Sequence, residues 1–67
     1  MLVMCLITVV MKVGTLPIIS QDYVKGVVLE KWDNQYLVDF SKEASDKGYL
    51  GDYKERVVEK DKCSVKK

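Results

Sequence analysis

Residues 26–40, GVVLEKWDNQYLVDF, contain two runs of β-forming residues separated by Asp33 and Asn34. Aspartate and asparagine both tolerate a positive φ, which the two central residues of a type I′ hairpin turn require. The pattern therefore predicts a β-hairpin with a two-residue turn, in which Trp32 faces Gln35. This hairpin indicates an all-β fold and sets the expected core.

The register of this hairpin follows from its side chains. Directly opposed residues share a face of the sheet, and here one face is apolar except for Lys31 at the turn. Shifting the register by one residue would mix apolar and polar side chains, so the pattern selects its own register. We expect the apolar face to form the core: Val27, Leu29, Tyr36, Val38 and Phe40.

Residues 1–10, MLVMCLITVV, are apolar except for Thr8. The segment is shorter than the roughly 20 residues of a membrane span, and it lacks the charged start and small-residue cleavage site of a signal peptide. We predict a strand that is covered on both faces. Because a small domain has little material to cover it, we expect a homo-oligomer that uses this strand.

Two alternatives remain open for the N-terminal region. Met11 opens MKVGTLPIIS, where the domain could also begin, and residues 1–10 would then be an appendage. A small membrane-anchored protein that uses residues 1–19 is the less favoured alternative. We expect no contact with a membrane.

The remainder of the chain consists of short β-forming runs separated by polar segments. Five or six short strands with almost no helix are typical of an all-β domain, and 67 residues provide for one domain only. The predicted elements are a strand at 12–19 that Pro17 interrupts, a polar connection at 20–25, a loop at 41–52 with at most one helical turn, a strand at 53–58, a turn at 59–61 and a strand at 62–65.

Three short motifs carry a resemblance to a known family: Lys12-Val13-Gly14, Gly26-Val27-Val28 and the run YLVDF at 36–40. Over roughly residues 12–65 the chain resembles the small barrels similar to Src-homology-3 (SH3) domains, in particular the Tudor and KOW branch. The resemblance implies a five- to six-stranded barrel at 11–65. Residues 1–10 would be an extra apolar strand and residues 66–67 a basic tail. It also implies an ending of a short strand, a 3₁₀ turn and a final short strand.

Barrels of this kind bind partners with aromatic side chains near their loops, and the resemblance therefore implies partner contacts at Trp32, Tyr49 and Tyr53. The alternative is nucleic-acid binding through the Lys/Tyr surface of residues 42–62. Its candidate contacts are Lys54, Arg56, Lys60 and Lys62. Acidic residues alternate with these cations and the net charge is only +1, which favours a solvated surface.

The sequence offers little for catalysis or metal binding. It contains no histidine, no Ser-His or Cys-His pair and no glycine-rich phosphate loop. Cys5 and Cys63 lie at opposite ends of the chain, without a CxxC pair. We expect no catalytic residues, no metal and no cofactor.

We expect both cysteines to be reduced, with Cys5 as a buried apolar residue. The alternative is a disulfide in an oxidising compartment. The favoured function is a cytoplasmic, non-enzymatic module that binds a protein partner of unknown identity.

Overall fold

The computed structural model describes residues 1–66 and contains five strands, one short helix and a 3₁₀ turn. In chain order these are β1 (Leu2–Val13), β2 (Leu16–Lys31), β3 (Gln35–Asp39), α1 (Ser41–Lys47), β4 (Arg56–Glu59), the 3₁₀ turn (Lys60–Lys62) and β5 (Cys63–Lys66). The strands form one antiparallel sheet in the order β4-β3-β2-β1-β5, which confirms the all-β class. The sheet is not closed into a barrel. Of the predicted basic tail, Lys66 ends β5 and Lys67 lies outside the described residues.

β1 and β2 form one long hairpin, paired from Leu2↔Val27 to Val13↔Leu16. The turn is Gly14-Thr15, and Gly14 adopts a φ of +64°. A glycine at the first central position suits a tight two-residue hairpin turn. The predicted break at Pro17 and the polar connection at 20–25 are therefore wrong, because both segments belong to the continuous strand β2. The molecule is elongated, 40 × 19 × 18 Å, in keeping with the length of this hairpin.

β1 buries one face and leaves the other partly in solvent. Val3, Cys5, Ile7 and Val9 are buried, whereas Thr8 on the opposite face is exposed. The prediction that this strand is covered on both faces is wrong. Residues 1–10 form most of β1, which lies between β2 and β5 and supplies a third of the buried apolar residues.

The β2–β3 hairpin follows the predicted register only near its turn. Lys31 pairs with Tyr36 as expected, but a bulge at Leu29 shifts the pairing beyond it, so that Val28 faces Val38. A bulge adds one residue to one strand and exchanges the two faces from there on. The assignment of Val27 and Leu29 to the core is therefore wrong, and these side chains are 46% and 47% exposed.

The turn of this hairpin also differs from the expectation. Neither Asp33 nor Asn34 has a positive φ, so the turn is not of type I′. The Trp32 N–H still donates a 2.9 Å hydrogen bond to the Gln35 carbonyl, which confirms the two-residue loop. Tyr36, Val38 and Phe40 of the predicted core face are buried.

Because the bulge exchanges the two faces of β2, Gly26 occupies a position at which a side chain would point into the core. A Cβ at this position would lie 2.5 Å from Val38 Cγ1 and 2.7 Å from Phe40 Cδ1. Such distances are far inside van der Waals contact, so the fully buried Val38 and Phe40 side chains require a glycine here.

A disulfide joins Cys5 on β1 to Cys63 on β5, with an S–S distance of 2.08 Å. The two residues are directly opposed in the β1–β5 pairing. The expectation of reduced cysteines is therefore wrong, and the alternative of a bridge between the two ends of the chain is correct. Cys5 is fully buried, as expected.

Candidate functional site

Tyr49, one of the three predicted partner-binding aromatics, lies in the core behind α1 with 8% of its surface exposed. Its hydroxyl donates a 2.9 Å hydrogen bond to Asp22 Oδ2 on β2. Burial and this bond raise the pKa of the Tyr49 phenol to about 12. The Tyr49 hydroxyl and the Tyr23 N–H lower the pKa of Asp22. The side chain holds the loop after α1 against the long hairpin.

Tyr53, the second predicted aromatic, is 3% exposed and packs beside Tyr49, with the ring centroids 5.8 Å apart. Its hydroxyl accepts a 3.1 Å hydrogen bond from the Val10 N–H on β1. The Arg56 guanidinium lies over the Tyr53 ring, 4.5 Å from the centroid. The ring and the hydroxyl of this side chain are thus both engaged within the fold.

Trp32, the third aromatic, is 42% exposed at the tip of the β2–β3 hairpin. Asp22, the partner of Tyr49, lies on β2 nine residues before that strand ends at Lys31, about 30 Å along its path. The structure therefore brings Tyr49 and Tyr53 together and leaves Trp32 apart from them.

The four cations predicted to contact nucleic acid lie on three different elements. Lys54 precedes β4, Arg56 belongs to it, and Lys60 and Lys62 form the ends of the 3₁₀ turn rather than a strand. Arg56 Nε donates a 3.0 Å hydrogen bond to the Asp52 carbonyl, and the Lys60 ammonium lies 5.2 Å from the Tyr36 ring centroid. Two of the four are thus held by contacts within the chain.

A surface that the sequence did not single out lies on residues 11–20, which we call the arm. Paired residues share a face, so Met11↔Ile18 and Val13↔Leu16 continue the buried row of β1 beyond the core. All four side chains are exposed, Leu16 to 70%. An apolar face that continues from the core into solvent is typical of a contact surface.

The other face of the arm carries Ile19, which is 71% exposed, and Lys12. Lys12 is the only charged residue among residues 1–21. Self-association was predicted for residues 1–10, but the exposed apolar side chains of the arm lie farther along the chain. The two-residue turn Gly14-Thr15 is the signal that could have located the arm.

The backbone edges of the arm differ from its faces. The Val10 N–H donates to the Tyr53 hydroxyl and the Val10 carbonyl accepts a 2.7 Å bond from the Leu50 N–H, so the polar backbone groups of Val10 point away from β2. Because the direction of the backbone N–H and carbonyl groups alternates along a strand, the backbone groups of Lys12 and of its pair Pro17 also point away from the partner strand. Pro17 lacks an N–H, and an outward position on an edge is where a strand tolerates proline.

Among the described residues, no group of three His, Cys, Asp or Glu side chains is arranged to hold a metal ion. Within residues 1–66 there is also no helix of the length and apolarity needed to cross a membrane.

Comparison with known proteins finds no matching family model, no matching curated protein and no matching solved structure. The function must therefore be inferred from the chain itself.

Proposed function

We propose that the chain is a small SH3-like barrel that acts as a non-enzymatic protein-binding module. The apolar face of the arm is its contact surface, and a second copy of the chain is the first partner to test. One observation carries the proposal: the core-facing row of β1 and β2 continues past the core as four exposed apolar side chains.

The strand order supports the barrel. β5 pairs with β1 at one side of the sheet, β4 lies at the other, and the 3₁₀ turn Lys60–Lys62 connects them directly. The SH3-like barrels that the sequence resembles end in the same succession of short strand, 3₁₀ turn and short strand. A sheet of five strands in 66 described residues must curve strongly to enclose Phe40 and Val38 as fully as it does.

The arm supports a role in protein contact for an energetic reason. Each buried apolar side chain of this size contributes about 1.5–3 kcal/mol when it leaves water. Val13 and Leu16 gain little of this in the isolated chain, because they are 59% and 70% exposed, whereas Met11 and Ile18 gain only part of it. A partner that covers this face recovers that free energy, and Lys12 on the opposite face does not oppose the contact.

The proposal is tested by the state of association of the purified chain in sedimentation equilibrium. We expect the wild type to be a dimer at micromolar concentration, and the double variant Leu16→Ser, Ile18→Ser to be a monomer. The matched control is Ile19→Ser, which makes the same kind of change at a similarly exposed residue on the opposite face. It should remain a dimer.

A wild-type chain that is monomeric at every concentration would remove self-association. Equal disruption by Ile19→Ser would remove the assignment to one face of the arm. Deletion of residues 1–10 is unsuitable as a test, because it removes four core residues: Val3, Cys5, Ile7 and Val9.

The alternatives have their own measurements. Nucleic-acid binding through residues 42–62 is tested by titration with single-stranded DNA and RNA at low salt, where such binding is strongest. The burial of Tyr49 and Tyr53 weighs against it, since neither ring is open for stacking on a base. A membrane anchor at residues 1–19 is tested by fractionation without detergent.

The cytoplasmic location stays a prediction. Disulfides persist mainly in oxidising compartments, so the Cys5–Cys63 bond bears directly on it. Thiol labelling of the chain in its native cells gives the oxidation state and, with it, the kind of compartment.

A further inference from the structure

A groove of about 330 Å³ lies between β1 and β4, two strands that are not neighbours in the sheet. We call it the slot. One wall is residues 6–8 of β1 and the other is β4, while the 3₁₀ turn closes one end. The lining is Leu6, Ile7, Thr8, Gln21, Arg56, Val57, Val58, Glu59 and Lys62.

The wall on β1 presents backbone groups without a partner strand. Leu6 and Thr8 alternate with Val10, so their N–H and carbonyl groups also point away from β2. The pairing with β5 ends at Cys5↔Cys63, which places the Leu6 N–H opposite the Lys62 carbonyl, and the next outward residue with bonded backbone groups is Val10. Between them, in the described part of the chain, the outward backbone groups of Thr8 face the slot.

The wall on β4 has the same character. The bond from the Trp32 N–H to the Gln35 carbonyl shows that the backbone groups of Gln35 are directed toward β2. The backbone groups of Tyr36, the next residue, are therefore directed toward β4. Its pair Val58 bonds back to β3. The alternate residues Val57 and Glu59 then direct their N–H and carbonyl groups outward. The Glu59 carbonyl accepts the first bond of the 3₁₀ turn, so the groups that face the slot are those of Val57 and the Glu59 N–H, because β4 is the last strand on this side of the sheet in the described part of the chain.

We propose that the slot binds an extended peptide of a partner protein, inserted as a strand that pairs with β1 and β4 together. Outward backbone groups of Thr8 on one side and of Val57 and Glu59 on the other line one groove. Backbone groups without partners are satisfied most directly by another strand, which is how exposed strand edges recruit peptides.

The size and floor of the slot define the peptide further. A strand that lies along residues 6–8 of β1 covers about three residues at 3.3 Å each, which suits the volume of the groove. The floor is made by Ile7 and Val58, two nearly buried apolar side chains. Alternate peptide side chains point to opposite faces, so the residue directed at this floor is expected to be small and apolar.

The occupant is a separate peptide rather than a second copy of this chain. The strands of the arm already pair with each other, and Pro17 removes an outward donor from the β2 edge of the arm. The other strands are committed to the sheet. This inference rests on the proposed role in protein binding, but it uses a different surface from the arm.

The test begins with random heptapeptides displayed on phage and selected on the immobilised chain. The best peptide is then synthesised and titrated while amide hydrogen exchange is followed. We expect slower exchange at Thr8, Val57 and Glu59, and loss of binding when alternate peptide nitrogens are methylated.

The matched variants are Val57→Pro and Val57→Ala. Proline keeps a side chain of three carbons but removes the outward N–H, and it breaks no bond to β3; alanine keeps the N–H and removes the two γ-methyl groups. Val57→Pro should weaken binding about tenfold or more, whereas Val57→Ala should stay within about threefold of wild type. Thermal unfolding of both variants establishes that they are folded.

Three results would overturn the slot: no selected peptide protects these amides, protection appears on the arm instead, or Val57→Pro binds as well as Val57→Ala. Protection that grows with the concentration of the chain alone would make a second copy the occupant, and would overturn the proposal of a separate peptide. The variant Leu16→Ser, Ile18→Ser separates the two surfaces. It should keep peptide binding even if self-association through the arm fails or is never observed.

Discussion

The hydroxyl of Tyr49 and the carboxylate of Asp22, 27 residues apart in sequence, share a 2.9 Å hydrogen bond that fastens the loop after α1 to β2. The bond explains two properties of one pair: the pKa of Tyr49 is raised to about 12 and that of Asp22 is lowered. Tyr49 is therefore a structural residue first, and any contact with a partner would have to involve its surroundings rather than its ring.

Tyr49→Phe should remove this bond and raise the pKa of Asp22 toward its ordinary value of 3.8. The cause is the loss of a donor that stabilises the ionised carboxylate. NMR titration of the Asp22 carboxyl carbon measures the shift. Tyr23→Phe, a change at an exposed tyrosine beside Asp22, is the matched control and should leave the pKa in place, since only the Tyr23 backbone N–H contacts Asp22.

The same tyrosine predicts a loss of stability in alkali. Below pH 10 the Tyr49 phenol is protonated in both the folded and the unfolded chain, so it adds no pH dependence. As the pH rises from about 10 to about 12, the phenol ionises first in the unfolded chain, and the free energy of unfolding falls. Urea unfolding across this window should show a smaller decline for Tyr49→Phe; an identical decline would contradict the assignment.

Gly26→Ala should destabilise the domain by about 1–3 kcal/mol, because overpacking of a tight core requires neighbouring side chains to shift. The added Cβ would lie 2.5 Å from Val38 Cγ1 and under 3 Å from two atoms of the Phe40 ring. The measurement is the free energy of unfolding in urea. Lys25→Ala at the exposed neighbouring position is the control. Equal stability of the two variants would show that the core side chains shift at little cost to accommodate the added methyl group.

Leu29→Asp and Val38→Asp should behave in opposite ways, although the simple hairpin register predicts that they are paired core residues. Leu29 lies at the bulge and is half exposed, so we expect a change of about 1 kcal/mol or less. Val38 is fully buried, and a charge there should unfold the domain. Circular dichroism decides, and unfolding by Leu29→Asp would mean that the bulge does not form in solution.

Reduction of the Cys5–Cys63 bond should lower the free energy of unfolding by about 2–4 kcal/mol, because the bond closes a loop of 58 residues. The urea midpoint with and without dithiothreitol measures this difference. The double variant Cys5→Ser, Cys63→Ser is the control and should not respond to the reductant. A wild-type urea midpoint that also does not change on addition of dithiothreitol would show that the thiols are unpaired in solution.

The sequence predicts the strand-rich class and most of the C-terminal elements, because alternating residues and turn-forming residues are local signals. The 3₁₀ turn and β5 begin within one residue of their predicted positions. The bulge at Leu29 could not be predicted in this way, since it depends on how Val28 and Val38 pack after the strands meet. The pattern of neighbouring residues in the sequence does not contain this packing information.

The candidate site was less predictable. Tyr49 and Tyr53 have loop positions and polar hydroxyls, which favour exposure, yet their partners Asp22 and Val10 are at least 27 residues away in sequence. The slot depends on which backbone groups lack partners, and this follows from the four pairings that join the five strands. Neither property is encoded in residue spacing.

Pro17 limits how copies of the chain can assemble through the arm. The arm combines exposed β-branched residues with a single charge, a composition typical of segments that stack into cross-β fibres. Stacking proceeds by backbone pairing at a strand edge, and Pro17 removes one outward donor from that edge of β2. Contacts through the face of the arm can therefore end in a closed pair, while growth into an open-ended filament is interrupted at each molecule.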